Sequence, residues 1–83
     1  MKILYFAWLR QRIGASEETI DLPEEVRSVA GLIDWLKTRG PKYEEAFRDT
    51  SAIRVAVNQE FADLDAAIRA GDEVALFPPM TGG

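Results

Sequence analysis

Apolar and polar residues alternate along several short stretches of the chain, and a period of two is typical of half-buried β-strands. The alternation is clearest over residues 53–58, and it recurs over residues 17–22. An apolar run at residues 73–77 ends at two prolines, which cannot donate to a sheet ladder. A turn leads into a further short strand around Phe61. The pattern therefore predicts four strands after the opening of the chain.

The opening stretch, residues 2–8, carries apolar residues on both parities. A strand with one face in water normally alternates, so this stretch predicts a central strand. Either both of its faces are covered, or one face is reserved for a partner. Residues 9–14 then predict a short helix or turn that Gly14 closes.

A helical pattern follows Ser28, which is a favourable N-cap residue. Four apolar residues share the helical spacing i, i+3, i+4, i+7, and they are Val29, Leu32, Ile33 and Leu36. Gly40 is expected to take the left-handed position after this helix, with Pro41 blocking its continuation. Shorter helical segments are predicted over residues 41–49 and 64–72.

The order strand, strand, helix, strand, short strand, strand predicts an α+β fold. The helix between the second and third strands is long enough to connect parallel partners. We expect a mixed five-stranded sheet with one main helix packed across one face, which is the ubiquitin-like β-grasp arrangement. At 83 residues we expect a single domain, residues 1–83, with residues 78–83 as an extended flexible C-terminal tail.

Composition narrows the possible functions. The chain has no Cys and no His, which excludes thiolate nucleophiles, zinc fingers and the usual general base. Its net charge of −4 disfavours nucleic acid and favours a partner with a basic surface. It has no signal peptide and no apolar run long enough to span a membrane, so we expect a cytoplasmic protein with no membrane contact.

An internal active site is not expected. Adjacent glutamates occur at residues 17–18, 24–25 and 44–45, but the side chains of neighbouring residues diverge, so such pairs usually form solvated surface. The chain contains no glycine-rich phosphate loop and no metal-ligand spacing. We therefore predict no bound cofactor and no bound metal.

The aromatic residues indicate an interaction surface. Most of them fill the core of a small domain, but the first strand has more apolar residues than one helix covers. Part of the surplus is expected to form an exposed patch that marks a protein interface. The candidates are Phe6, Trp8, Phe61 and Phe77.

The chain ends in Gly82-Gly83, so its terminal carboxylate has no flanking Cβ and can enter a narrow channel. Pro78 and Pro79 favour a stiff, extended exit from the sheet. A carboxylate is a poor electrophile until another enzyme activates it. The tail is therefore interpreted as a substrate of another enzyme, and the alternative is an inert end.

Three stretches carry a resemblance to a known family. Residues 71–83, "GDEVALFPPMTGG", residues 3–14, "ILYFAWLRQRIG", and residues 56–59, "AVNQ", are similar in order and spacing to the sulfur carrier subunits of molybdopterin synthase. These are ubiquitin-like β-grasp sulfur carriers. The resemblance spans the chain, and it is most specific in the tail.

The resemblance implies chemistry at Gly83. An adenylyltransferase of the ubiquitin-E1 type would use ATP to adenylate the terminal carboxylate, and a sulfur donor such as a cysteine desulfurase or a rhodanese-type protein would convert it to a thiocarboxylate. The large catalytic subunit would then pass the sulfur to cyclic pyranopterin monophosphate, forming the molybdopterin dithiolene. The family assembles as a heterotetramer of two small and two large subunits. The small subunit is a carrier and no enzyme on its own.

The resemblance also implies where the partner binds. Gly82 would permit close approach inside the partner, next to the reactive Gly83. The positions that match the family's docking residues are Phe6, Arg10, Phe61 and Phe77, followed by Pro78, Pro79, Met80 and Thr81 of the tail. Met80 departs from the branched aliphatic residue common in the family, and methionine fills irregular apolar pockets well.

Three other functions stay open. A sulfur carrier for thiazole synthesis shares the fold and the Gly-Gly end, but such carriers are generally shorter and lack the Phe-Pro-Pro lead. A ubiquitin-like protein modifier needs the same activation of Gly83. A plain interaction module would have an inert tail, and it would keep its function without Gly82 and Gly83.

Overall fold

A computed structural model describes residues 1–79, in which five strands form one sheet. The strands are β1 (Lys2–Tyr5), β2 (Glu17–Thr19), β3 (Arg54–Val57), β4 (Glu60–Ala62) and β5 (Glu73–Phe77). The helices are α1 (Ala7–Ile13), α2 (Val29–Lys37) and α3 (Pro41–Ala46), and a 3₁₀ turn spans Thr50–Ala52. The predicted mixed five-stranded sheet is confirmed, and α2 is the longest of the helices in this part of the chain.

The strand order in the sheet is β2-β1-β5-β3-β4. The central pair, β1 and β5, is parallel, and the other neighbours are antiparallel. The parallel partners are thus the first and last strands, whereas the sequence placed a possible parallel crossover at α2. Strands β2 and β4 form the two edges, and each is three residues long.

Helix α2 forms as its sequence predicts. Ser28 caps it, since the Ser28 hydroxyl accepts a hydrogen bond from the Gly31 amide at 3.1 Å. The four apolar residues of the predicted stripe are all buried. The prediction for Gly40 was wrong, because α2 ends at Lys37 and its C-cap residue is Thr38, in a right-handed conformation. Gly40, at φ +151°, instead precedes α3, and Pro41 takes the first position of that helix.

Helix α1 begins at Ala7, so β1 is shorter than the apolar run of residues 2–8 indicated. Gly14 closes α1 as predicted, at φ +85°, and its amide donates to the Arg10 carbonyl at 2.8 Å. Ala7 has a φ of +54°, unusual for a residue with a Cβ. This left-handed residue turns the chain directly from β1 into α1.

Residues 64–72 form turns and an isolated bridge, so the helical segment predicted there was wrong. The segment lies against the start of α2. The amides of Val29 and Ala30 donate to the carbonyls of Ala66 and Leu64 at 3.0 and 2.9 Å. The first amides of a helix have no acceptor within the helix, and here the carbonyls of residues 64–72 supply acceptors for two of them.

The core lies between the helices and one face of the sheet. Tyr5 and Phe47 are the largest fully buried side chains, and no polar or charged residue among residues 1–79 is buried. The sheet residues on this side are Ile3, Tyr5, Val55, Val74 and Leu76. They alternate with the more exposed residues of the same strands, so the helices cover one face of the sheet.

Glu18 joins the edge strand β2 to the helices. Its Oε1 accepts hydrogen bonds from the hydroxyls of Tyr5 at 3.0 Å and Tyr43 at 2.7 Å. Its Oε2 accepts from Arg39 at 3.0 Å. Adjacent Glu17 instead points to solvent and pairs with Lys2, so the two carboxylates diverge as the sequence indicated. Burial acts to raise the pKa of Glu18, but the hydrogen bonds from Tyr43 and Tyr5 and the Arg39 charge outweigh it, and the pKa lies below its usual value.

We expect Glu18→Gln to lower the free energy of unfolding by about 1–2 kcal/mol at neutral pH, because it weakens three charge-assisted hydrogen bonds. A depressed folded-state pKa contributes stability above the unfolded value, and this contribution is lost as the pH falls through the folded value. Urea unfolding at pH 7 and at about pH 3 should therefore show the difference from the wild type shrinking in acid. A difference that is equal at both pH values would contradict this account, and Glu17→Gln is the matched control.

The β3–β4 hairpin turns at Asn58 and Gln59, which have φ values of +51° and +70°. Two consecutive positive φ values are typical of a type I′ turn, in which Asn-Gly is the favoured pair. The Asn58 side chain is held by Asp72 and by the Glu73 amide, both at 3.0 Å. Gln59 has no such contact among the described residues.

Gln59→Gly is expected to raise the free energy of unfolding by about 0.5–1 kcal/mol. Glycine removes the steric strain of a Cβ in left-handed backbone, about 1–2 kcal/mol, and this gain exceeds the conformational-entropy cost of glycine, about 0.5–1 kcal/mol. Thermal unfolding of the wild type, Gln59→Gly and Gln59→Ala measures this directly. Stabilisation by alanine equal to that by glycine would show that the turn backbone is not the cause.

Candidate protein-binding face

The sheet face opposite the helices carries the candidate site. Strand register aligns Leu4 with Ala75, Ala75 with Ala56, and Ala56 with Phe61. Paired residues point to the same face, so these four side chains form an apolar row across the sheet. We call this surface the open face. Of the two alternatives that the apolar opening strand left open, the helices covering both faces or one face only, it corresponds to the second.

Toward the end of the open face where β1 and β5 finish lie Phe6, Phe61 and Phe77, which we call the aromatic patch. Phe61 is 87% exposed and Phe6 is 45% exposed. The rings of Phe61 and Phe77 meet edge to face, with centroids 6.0 Å apart. The Phe6 amide donates to the Leu76 carbonyl at 3.1 Å, which holds Phe6 beside the end of β5. Exposed aromatic side chains grouped in this way are typical of a protein interface.

Trp8, the fourth aromatic candidate, is not part of the patch. It packs partly buried against the core, and the Arg12 guanidinium lies 5.6 Å from its ring centroid. It borders a shallow groove between α1 and α3. The aromatic surplus of the opening stretch is thus divided, with Phe6 on the open face and Trp8 among the helices.

The other residues predicted to bind a partner belong to α1 or follow β5 in the sequence. Arg10 is exposed on α1, four residues after Phe6. Pro78 and Pro79 follow β5 directly and are half-buried. The remaining predicted residues, Met80, Thr81, Gly82 and Gly83, lie outside the described residues. The structure therefore brings Phe61 and Phe77 into contact and places Phe6 beside the end of β5, and the partner-binding roles of these residues and of the tail stay predictions.

Sequence reasoning missed four residues of the open face, which are Leu4, Arg54, Ala56 and Ala75. The signal that could have found them is the alternation itself. Arg54 and Ala56 are out of phase with the buried residues of β3, so they must lie on the opposite face. Without the strand order, however, the sequence does not show that β1, β3 and β5 are neighbours.

The open face differs in charge from one end to the other. At the end remote from the aromatic patch, Lys2 and Glu17 form an ion pair at 3.6 Å, and Glu73 aligns with Lys2. At the aromatic end, Arg54 aligns with Phe77. Residues 1–79 contain no group of three or more Asp and Glu side chains placed to hold a metal ion. Within the same residues no helix is both long and apolar enough to cross a bilayer.

A comparison with protein families matches residues 3–83 to the ThiS family model. The chain belongs to this family. Over its whole length it is 34% identical to the molybdopterin synthase sulfur carrier subunit of Haemophilus influenzae, and the match covers 99% of that protein. The family membership that the tail motif implied is confirmed.

Solved structures support the fold. Small archaeal modifier protein 1 of Haloferax volcanii superposes with a TM-score of 0.74 at 29% identity, covering 96% of this chain and 97% of that one. A chain from the complex of subunits 1 and 2 of the molybdopterin-converting factor of Helicobacter pylori superposes with a TM-score of 0.63 over 99% of this chain and 96% of its own. At 19% identity, the second likeness concerns the fold alone. The ubiquitin-like β-grasp prediction is confirmed.

Phe61→Ala should change the free energy of unfolding by less than about 0.5 kcal/mol, because the side chain is exposed. Phe47→Ala, at a fully buried site, should cost about 3–5 kcal/mol. Urea denaturation of both variants measures the two changes in the free energy of unfolding. A large loss of stability in Phe61→Ala would mean that Phe61 belongs to the core and is not available to a partner.

Proposed function

We propose that this chain is the sulfur carrier subunit of a molybdopterin synthase. The observation that carries the proposal is its full-length match to such a subunit, combined with an exposed aromatic patch at the point where the Gly-Gly tail leaves the sheet. The chain supplies a docking surface and a reactive end, and catalysis belongs to its partners.

The chemistry proposed for Gly83 has two steps. In an adenylyltransferase of the ubiquitin-E1 type, a carboxylate oxygen of Gly83 attacks the α-phosphate of ATP, and pyrophosphate leaves. In the second step the terminal sulfur of a persulfide on a cysteine desulfurase or rhodanese-type donor attacks the activated carbonyl, AMP leaves, and an acyl disulfide forms. A thiol then attacks the donor cysteine's sulfur, so that the S–S bond breaks, the thiocarboxylate leaves, and the thiol and the donor cysteine end as a disulfide. ATP is consumed by the activating enzyme, so this chain needs no cofactor of its own. Gly82 has no Cβ and allows the end to enter a narrow site.

Delivery of the sulfur follows from docking. The aromatic patch binds the large catalytic subunit, with each buried phenylalanine contributing about 1.5–3 kcal/mol of transfer free energy. Pro78 and Pro79 limit the conformations of the tail, which reduces the entropy lost when it enters the partner. In a heterotetramer of two small and two large subunits, two thiocarboxylates then each donate one sulfur to cyclic pyranopterin monophosphate. The two sulfurs form the dithiolene of molybdopterin, and water returns each Gly83 to the carboxylate.

Deletion of Gly82 and Gly83 should abolish sulfur uptake in a reconstituted reaction with the activating enzyme, ATP and a sulfur donor. Intact-mass spectrometry detects the exchange of one oxygen for sulfur in the full chain. Gly71→Ala is the control, because Gly71 lies in an exposed turn with open space around it. Sulfur uptake by the deletion variant would show that Gly83 is not the acceptor.

A second candidate function is covalent modification of other proteins, which the likeness to small archaeal modifier protein 1 favours. The same activated Gly83 would then form an isopeptide bond with a lysine amine, releasing AMP. Affinity-tagged chain recovered from its own cells should carry high-molecular-weight conjugates if this occurs, and digestion would place Gly83 on target lysines. Recovery of the unconjugated chain alone would exclude this function under those conditions.

A further inference from the structure

We propose that Arg54 is a specificity residue of the open face, and that it selects a partner carrying a carboxylate beside an apolar pocket for the aromatic patch. The inference rests on the proposed function, because it specifies the chemistry of the surface that the large subunit presents. It concerns a residue that neither the tail motif nor the aromatic pattern indicated.

Arg54 lies at the aromatic end of the open face. In the β3–β5 ladder Arg54 aligns with Phe77, and the ring centroids of Phe77 and Phe61 are 6.0 Å apart. Aligned residues on neighbouring strands point to the same face. A partner that covers Phe61 and Phe77 therefore also approaches Arg54.

The guanidinium of Arg54 is held in place without a carboxylate. Its Nη1 donates to the carbonyls of Ser51 at 3.2 Å and Ile53 at 3.3 Å. Within residues 1–79, Arg12, Arg39 and Arg48 each pair with a glutamate, whereas Arg54 forms no ion pair. Its charge is thus available, and because one edge is anchored, fewer side-chain conformations are lost on binding.

Glu73 and Glu17 lie toward the other end of the open face. Glu73 aligns with Lys2, two residues before the apolar row, and Glu17 aligns with Leu4 and pairs with Lys2. Arg54 lies beyond the row on the opposite side, next to Phe77.

Asp63 lines a groove together with Arg54, but its carboxylate accepts the Asp65 amide at 3.0 Å and, within residues 1–79, forms no ion pair with Arg54. Arg54 is therefore a cation beside the aromatic patch to which, among the described residues, no carboxylate is paired, on a chain whose net charge is −4. The partner surface that fits here is acidic, in contrast to the basic surface that the net charge favoured.

A carboxylate suits this position in geometry as well as in charge. A guanidinium presents paired N–H donors in a plane, and an Asp or Glu side chain accepts two of them in parallel. Next to buried aromatic rings such a pair loses its water, so a misplaced or missing carboxylate is penalised. Arg54 thus discriminates between partners that all offer an apolar pocket.

The test measures binding of the large molybdopterin synthase subunit from the same cells to the full-length chain. Arg54→Glu should weaken binding by about tenfold or more at low salt, with a smaller loss at high salt, where screening is strong. Arg54→Lys should lie between the wild type and Arg54→Glu, because it keeps the charge without the bidentate geometry. Matched thermal unfolding of the variants confirms that each is folded.

Arg27→Glu is the matched control. Arg27 is also exposed, its Nε contacts only a backbone carbonyl, that of Glu24, and it lies outside the sheet. Both substitutions change the net charge by the same amount, so any long-range effect on steering is shared. Arg27→Glu should leave binding within about twofold of the wild type.

Three results would overturn the inference. If Arg54→Glu binds the large subunit as tightly as the wild type does, Arg54 is not part of the interface, and the proposed function is unaffected. If Arg54→Glu and Arg27→Glu weaken binding equally, the loss of affinity is caused by the change in net charge and not by the position of Arg54. Sedimentation that shows a wild-type dimer dissociated by Arg54→Glu would make a second copy of this chain the partner of Arg54. Failure of the wild type to bind the large subunit would instead contradict the proposed function itself.

Discussion

The parallel pairing of β1 with β5 is the contact on which the rest of this structure depends. Because the two strands run the same way, their carboxyl ends meet at one edge of the sheet. Phe6 follows β1 and Phe77 ends β5, so the pairing brings both aromatic residues to the same edge of the sheet, where Pro78 and Pro79 follow β5. With the helices packed on one face, the other face is left open for a partner.

The same arrangement explains why core residues and open-face residues alternate along one strand. In β5, Val74 and Leu76 are buried against the helices, whereas Ala75 and Phe77 lie on the open face. Stability therefore depends mainly on one set of side chains and recognition on the other. Such a division allows the open face to change with its partner at little cost to folding.

Much of this fold could be predicted from local sequence. Ser28 and its apolar stripe define α2, Gly14 ends α1, and alternation locates β3. The errors arose where tertiary contacts decide the outcome. Gly40 precedes α3 as its N-cap residue. Residues 64–72 form turns and a bridge, and the carbonyls of Leu64 and Ala66 accept the first amides of α2. Phe6 and Phe61 could be predicted as site residues from an excess of apolar residues, but Arg54 required the strand register.

The central claim is that Gly83 carries sulfur, and the most direct measurement is the intact mass of the chain purified from its own cells under conditions that preserve thiocarboxylates. Fragmentation then locates any modification along the tail. The account predicts a fraction of chains in which one terminal oxygen is replaced by sulfur, and that fraction should grow when the large subunit is removed. Unmodified Gly83 in such cells, with the activating enzyme and sulfur donor present, would contradict it.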